Sequence, residues 1–125
     1  MTIAYWCVLV AVFLPYVWFG VANAKGGKER SNHYPRDFVA RAEGTAKRAL
    51  GAHLNTFETN PGFYAAVIIA HLAHAPQGRI DALAVAYVVV RLAYGLFYIA
   101  DKAAARSATW FLSLVCIVGL FVISA

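Results

Sequence analysis

Four apolar stretches, each close to the length that crosses a bilayer, constrain this chain more than any other feature of its sequence. A helix needs about 20 apolar residues to span the hydrocarbon core. Residues 3–22, 53–74, 82–100 and 107–125 each supply such a stretch. The connections 75–81 and 101–106 are short, and only 23–47 forms a long polar segment, marked as loop by Gly26-Gly27 and Tyr34-Pro35. The expected fold is all-α: one domain over residues 1–125, built as a four-transmembrane-helix bundle. Composition agrees, since 62% of residues are hydrophobic and only 14% charged, too apolar for a soluble domain of this size. Pro15 should kink the first span, which a membrane helix tolerates.

The triplet Ala22-Asn23-Ala24 resembles a signal-peptidase site. Against cleavage, no basic residue precedes the apolar run, the run is long for a signal core, and dense positive charge follows it. The first span is therefore expected to be retained. Basic residues then set orientation. Lys25, Lys28, Arg30, Arg36, Arg41, Lys47, Arg48, Lys102 and Arg106 fall on one side of four spans, and Arg79 alone on the other. The positive-inside rule puts the basic loop in the cytoplasm and both termini outside, and if the chain is bacterial its host is the plasma (inner) membrane. The block faces anionic lipid rather than nucleic acid, because its charges sit beside the spans and not along a binding face. Cys7 and Cys116 lie inside apolar runs without metal-ligand spacing and read as buried thiols rather than a disulfide.

The polar groups inside the spans carry the chemistry. Glu58 lies about 8 Å into the second apolar stretch and Arg91 at the middle of the third. Each charge alone costs up to about 3 kcal/mol to insert, so the two are expected to pair. Such a pair either locks helices together or serves function, and intramembrane charge is by default a functional sign. Tyr87, Arg91, Tyr94, Tyr98 and Asp101 follow steps of four, three, four and three, one helical stripe. Arg48, Asn55 and Glu58 cluster on one face of the preceding helix. Lipid rejects both stripes, so they should face each other across an elongated polar cleft. His71 and His74 should share one face near the far end, packed at the interface rather than holding metal, and His53 should sit near the cleft mouth. Asn60-Pro61-Gly62 should bend the helix just past Glu58.

The residues Arg48-Ala49, Ala52-His53-Leu54-Asn55, Glu58, Pro61 and Phe63 resemble the second-helix signature of the MAPEG family, the membrane-associated proteins in eicosanoid and glutathione metabolism. Arg91, Tyr94 and Tyr98, followed by Arg106-Ser107, look like its third-helix and turn signature; the likeness covers roughly residues 41–110. The resemblance implies a homotrimer of four-helix bundles with glutathione as co-substrate, bound between neighbouring subunits toward the cytoplasm. By that likeness Arg48, Asn55, Glu58, Arg91, Tyr94 and Tyr98 line the tripeptide site, with Arg106 and Ser107 beside the sulfur as the catalytic pair. These two are expected to begin the fourth helix, where unpaired N–H groups favour an anion. Two departures stand out. Gly51 occupies a position where better-known members carry arginine, and Trp110 one where the prostaglandin-synthesising branch has tyrosine. The pattern is similar to the short bacterial members.

Three functions follow. The first is an enzyme that conjugates glutathione to a lipophilic electrophile or uses it to reduce a lipid hydroperoxide, its partners being the bilayer, a lipophilic small molecule and further copies of itself. The second is a non-catalytic membrane protein binding lipid or glutathione. The third, a small four-helix exporter, is disfavoured because residues 3–22 contain no carboxylate.

Overall fold

A computed structural model describes residues 1–29 and 31–125; Arg30 of the basic segment lies outside the described residues. Five α-helices appear among them: α1 (Ile3–Lys25), α2 (Pro35–Arg41), α3 (Gly44–Leu72), α4 (Gln77–Ile99) and α5 (Ala103–Val122), with a 3-10 turn at Gly27–Glu29. The four long helices pack side by side, α3 against α1, α4 and α5. Three of them, α1, α4 and α5, are long and apolar enough to cross a membrane, which makes this an integral membrane protein. At 29 residues α3 is the longest, but Asn55, Glu58, Thr59 and Asn60 interrupt its apolar character.

Two helices extend past the apolar windows. Helix α3 starts at Gly44, well before His53, because Ala46, Ala49, Leu50 and Ala52 continue its buried face. Helix α5 starts at Ala103 rather than Ser107, since the run Ala103-Ala104-Ala105 has the highest helix propensity. Hydropathy finds the membrane core of a helix and not its ends. The polar segment is also not wholly loop: Pro35 sits at the first position of α2, and Phe38 anchors that helix in a cluster with Ala22, Ala42 and Ala46.

Prolines shape the interior. Helix α1 runs unbroken through Pro15, whose missing N–H leaves the Ala11 carbonyl without its ladder partner. Asn60 Nδ2 donates to that carbonyl at 2.6 Å, and the Tyr87 hydroxyl donates to Asn60 Oδ1 at 2.9 Å. One buried amide thus ties α1, α3 and α4 together. Helix α3 likewise continues through Pro61. Small residues let the helices approach closely: Ala4, Ala11, Ala66, Ala70 and Ala84 are all in the core around Phe63 and Tyr87, which stack at 3.9 Å. Cys7 and Cys116 are free and buried in that same core.

Both short connections use the same cap. His74 (φ 55°) and Asp101 (φ 60°) adopt the left-handed conformation, so that Ala75 N–H reaches the Ala70 carbonyl (3.0 Å) and Lys102 N–H reaches that of Phe97 (2.9 Å). His74 therefore lies beyond α3 and does not share a helix face with His71. His71 stacks on Tyr5 with centroids 4.3 Å apart and contacts the Thr2 hydroxyl, while Asp81 accepts from Ala4 N–H at 2.9 Å. These contacts put the N-terminus at the same end as the α3–α4 connection. At the opposite end, Arg48 Nε donates to the Ile99 carbonyl at 3.0 Å.

Candidate functional site

A cleft of about 450 Å³ opens between α3, α4 and α5. Gly51, Leu54, Asn55 and Glu58 bring one face of α3 to it, a turn apart. Tyr94 and Tyr98 enter from α4 at the i, i+4 spacing, and Arg106, Ser107 and Trp110 from the first two turns of α5. Past Asn55, Glu58 and Trp110 it runs on into a groove of about 370 Å³ whose further walls are Thr59, Gly62, Leu114 and Ile117. The two adjoin at Asn55, Glu58 and Trp110, the cleft the more polar and the groove the more apolar. Glu58 and Ser107 are exposed in the single chain, so the cleft is open on one side.

Six of the eight residues singled out by sequence converge here: Asn55, Glu58, Tyr94, Tyr98, Arg106 and Ser107. Arg91 lies behind the wall, fully buried. Its Nη2 donates to Asn55 Oδ1 (3.0 Å) and to Thr56 Oγ1 (3.1 Å), and its guanidinium carbon lies 4.2 Å from the Tyr94 ring centroid. Nε and Nη1 have no partner among the described residues. The expected direct pairing with Glu58 is corrected. Asn55 stands between the two groups and donates Nδ2 to Glu58 Oε2 at 3.3 Å, so its amide presents oxygen to the cation and nitrogen to the anion. The reason is placement: Arg91 points into the bundle and Glu58 out of it. Thr56 was not visible as a partner, because it falls beside the stripe of Arg48, Asn55 and Glu58 rather than on it.

Arg48 is outside the cleft lining. Besides the Ile99 carbonyl it binds Thr45 Oγ1 at 3.2 Å, so its charge meets the C-terminal carbonyls of α4, where the helix dipole is negative. His53 also turns away from the cleft: its Nδ1 lies 2.8 Å from the Pro15 carbonyl, and its ring packs on Phe19 and Phe57. Asp101 lies past the end of α4 and so leaves the tyrosine stripe. A further correction concerns α5. Because the helix begins at Ala103, the Arg106 N–H already donates to the Lys102 carbonyl at 2.9 Å. What Arg106 and Ser107 offer the cleft is their side chains, not free backbone donors.

Arg106 lies over the face of Tyr98, 4.5 Å from its centroid, and Tyr98 meets Tyr94 edge-on at 5.8 Å and 83°. Two cations, Arg91 and Arg106, thus flank a pair of tyrosines. The Tyr98 hydroxyl rests against the bare Cα of Gly51, where any Cβ would overlap it.

Compared with family models, the chain matches that of the MAPEG family over residues 3–125, essentially its whole length. No curated protein and no solved structure matches it.

Proposed function

The chain belongs to the MAPEG family, and on that basis we propose that it is a glutathione-dependent membrane enzyme, which conjugates lipophilic electrophiles or reduces lipid hydroperoxides. The observation that carries this reading is the convergence of Asn55, Glu58, Tyr94, Tyr98, Arg106 and Ser107 on one cleft. Its volume of about 450 Å³ suits a tripeptide. Glutathione carries two carboxylates, an ammonium and a thiol. Glu58 suits the ammonium, and the Arg106 guanidinium suits an anion. The adjoining groove, with Leu114 and Ile117, offers apolar walls for a substrate arriving from the bilayer.

In this reading all four long helices span the bilayer as a single domain, with the basic segment cytoplasmic, both termini external and, in a bacterium, the inner membrane as host. The active form is a homotrimer. One lining guanidinium does not match two carboxylates, and an exposed mid-helix Glu58 facing lipid costs up to about 3 kcal/mol. A neighbouring subunit closing the open side answers both. Arg106 and Ser107 then act on the sulfur. A thiol of pKa about 8.5 is mostly protonated at neutral pH, and a guanidinium and hydroxyl held beside it favour the thiolate. That thiolate attacks an electrophilic carbon, with the electron pair leaving on the displaced group or across the activated double bond. Alternatively it attacks a hydroperoxide oxygen, breaking O–O to release the alcohol and a glutathione sulfenic acid, which a second glutathione converts to the disulfide and water.

The test is to add glutathione to protein purified in detergent and to measure thiolate absorbance in the ultraviolet. The parent should bind glutathione and ionise it. Arg106→Lys should lose ionisation, because a point charge on a flexible stem does not reproduce the planar fork, and Ser107→Ala should lose part of it. Bound but un-ionised glutathione in the parent would make the chain a binding protein instead. If both variants ionise glutathione as the parent does, the catalytic role of this pair is refuted.

A further inference from the structure

We propose that Tyr98 is a positioning residue for Arg106, and that Gly51 is the seat that makes this possible. The proposal rests on the glutathione reading for its purpose, but its geometry is independent of it. Arg106 has many rotamers to choose from, and an unrestrained guanidinium is a poor fixed donor. No carboxylate fixes it: among the described residues the one ion pair is Arg41–Asp37, at 3.6 Å. What it meets is the Tyr98 face, 4.5 Å from guanidinium carbon to ring centroid, a cation–π contact.

The ring is itself held from three sides. Tyr94 presses it edge-on at 5.8 Å, and Tyr94 carries Arg91 on its own face at 4.2 Å. Leu14, Trp18 and Ala52 form the buried cluster behind it. Below, its hydroxyl end occupies the space that a Cβ at Gly51 would take. A side chain at position 51 would therefore force the hydroxyl end of Tyr98 to shift from this seat. Gly51 thus does more than leave a gap in the cleft wall. It lowers the ring onto α3, and the ring in turn fixes how far Arg106 reaches along the cleft wall.

The experiment reads the clamp first and its purpose second. Purified protein is treated with phenylglyoxal, and modification of Arg106 is followed by mass spectrometry in the parent, Tyr98→Phe, Tyr98→Leu and Gly51→Ala. Phenylalanine keeps the aromatic face, so its rate should match the parent within about twofold. Loss of a cation–π contact should speed the reaction about three- to thirtyfold in Tyr98→Leu, and Gly51→Ala should do the same by displacing the ring. Alanine in a helix favours folding, so Gly51→Ala keeps the test sound should Tyr98→Leu fail to fold. Unchanged rates in the folded variants overturn the clamp. The second arm titrates thiolate absorbance of bound glutathione against pH. Its midpoint should move upward in Tyr98→Leu and Gly51→Ala and be rescued in Tyr98→Phe. A clamp that loosens without moving the midpoint overturns the positioning role. A parent that binds no glutathione overturns the functional reading, while the phenylglyoxal rates still decide the clamp.

Discussion

Replacing Asn60 by leucine tests the internal frame that holds the cleft. Asn60 is 1% exposed, and its amide serves two buried groups, the Ala11 carbonyl freed by Pro15 and the Tyr87 hydroxyl. Leucine keeps the branched shape, with somewhat more bulk, but leaves both without a partner. An orphaned buried polar group costs about 1–3 kcal/mol in soluble proteins, and hydrogen bonds measured in membranes average about 0.6 with a maximum near 1.7. Taking about 1–2 for each gives a loss of about 2–4 kcal/mol, offset by about 1–2 from the added apolar surface. The single variant therefore gives an ambiguous number, and the cycle does not. Pro15→Ala restores an N–H that can donate to the Ala11 carbonyl, so Asn60→Leu should cost about 1–2 kcal/mol less in that background. Tyr87→Phe removes the other bond and should be additive with Pro15→Ala. Reversible unfolding in mixed micelles, or steric trapping, measures all three. If Pro15→Ala and Asn60→Leu add within about 0.5 kcal/mol, the assignment of Asn60 to a carbonyl vacated by proline is wrong.

Two further outcomes are expected. Glu58→Gln should leave the bundle folded, since Glu58 meets Arg91 only through Asn55 and glutamine keeps an acceptor for that amide, yet it should weaken glutathione binding by about tenfold or more; calorimetry and thermal melts separate the two. Cysteines placed at Asn32 and Gln77 should lie on opposite sides of the membrane, with an impermeant reagent labelling only the one at Gln77 in intact cells. Labelling of the one at Asn32 alone would invert the proposed topology.

Much of the helical order was legible because apolar length is a strong signal: windows at 3–22, 82–100 and 107–125 locate α1, α4 and α5 within a few residues. The ends were not, since Ala103 to Ala105 and Gly44 to Ala52 are helical for reasons of propensity and packing outside any apolar window. Helix α2 escaped because Pro35 reads as a turn until Phe38 is seen to bury itself. At the site, Tyr94 with Tyr98 and Asn55 with Glu58 line one cleft, an arrangement in keeping with their helical spacing. Spacing failed where a side chain had a better local use. Arg48 is drawn to the carbonyls ending α4, and His53 to the Pro15 carbonyl. A helical wheel gives direction but not the competing acceptors a neighbouring helix presents. Nor can it give depth, which is why Arg91 and Glu58 seemed adjacent when one amide separates them.

That separation bears on how the cleft is charged. A fully buried guanidinium with two nitrogens lacking partners among the described residues is a poor stabilising device, since burying a charge costs several kcal/mol unless it is well paired. Two apolar residues would knit α3 to α4 at least as well. What Arg91 does that apolar residues cannot is bias its surroundings. Through Asn55 it orients the amide that donates to Glu58, and through Tyr94 it supports the ring next to Tyr98. One wall of the cleft thereby presents a carboxylate from α3 and the other a guanidinium from α5, both held indirectly by the same buried cation. Under the proposed function, glutathione would set its terminal ammonium toward the carboxylate and the thiol of its central cysteine toward the guanidinium. On that same reading, the cost of burying Arg91 is offset by the orientation it gives the groups that would meet the ligand.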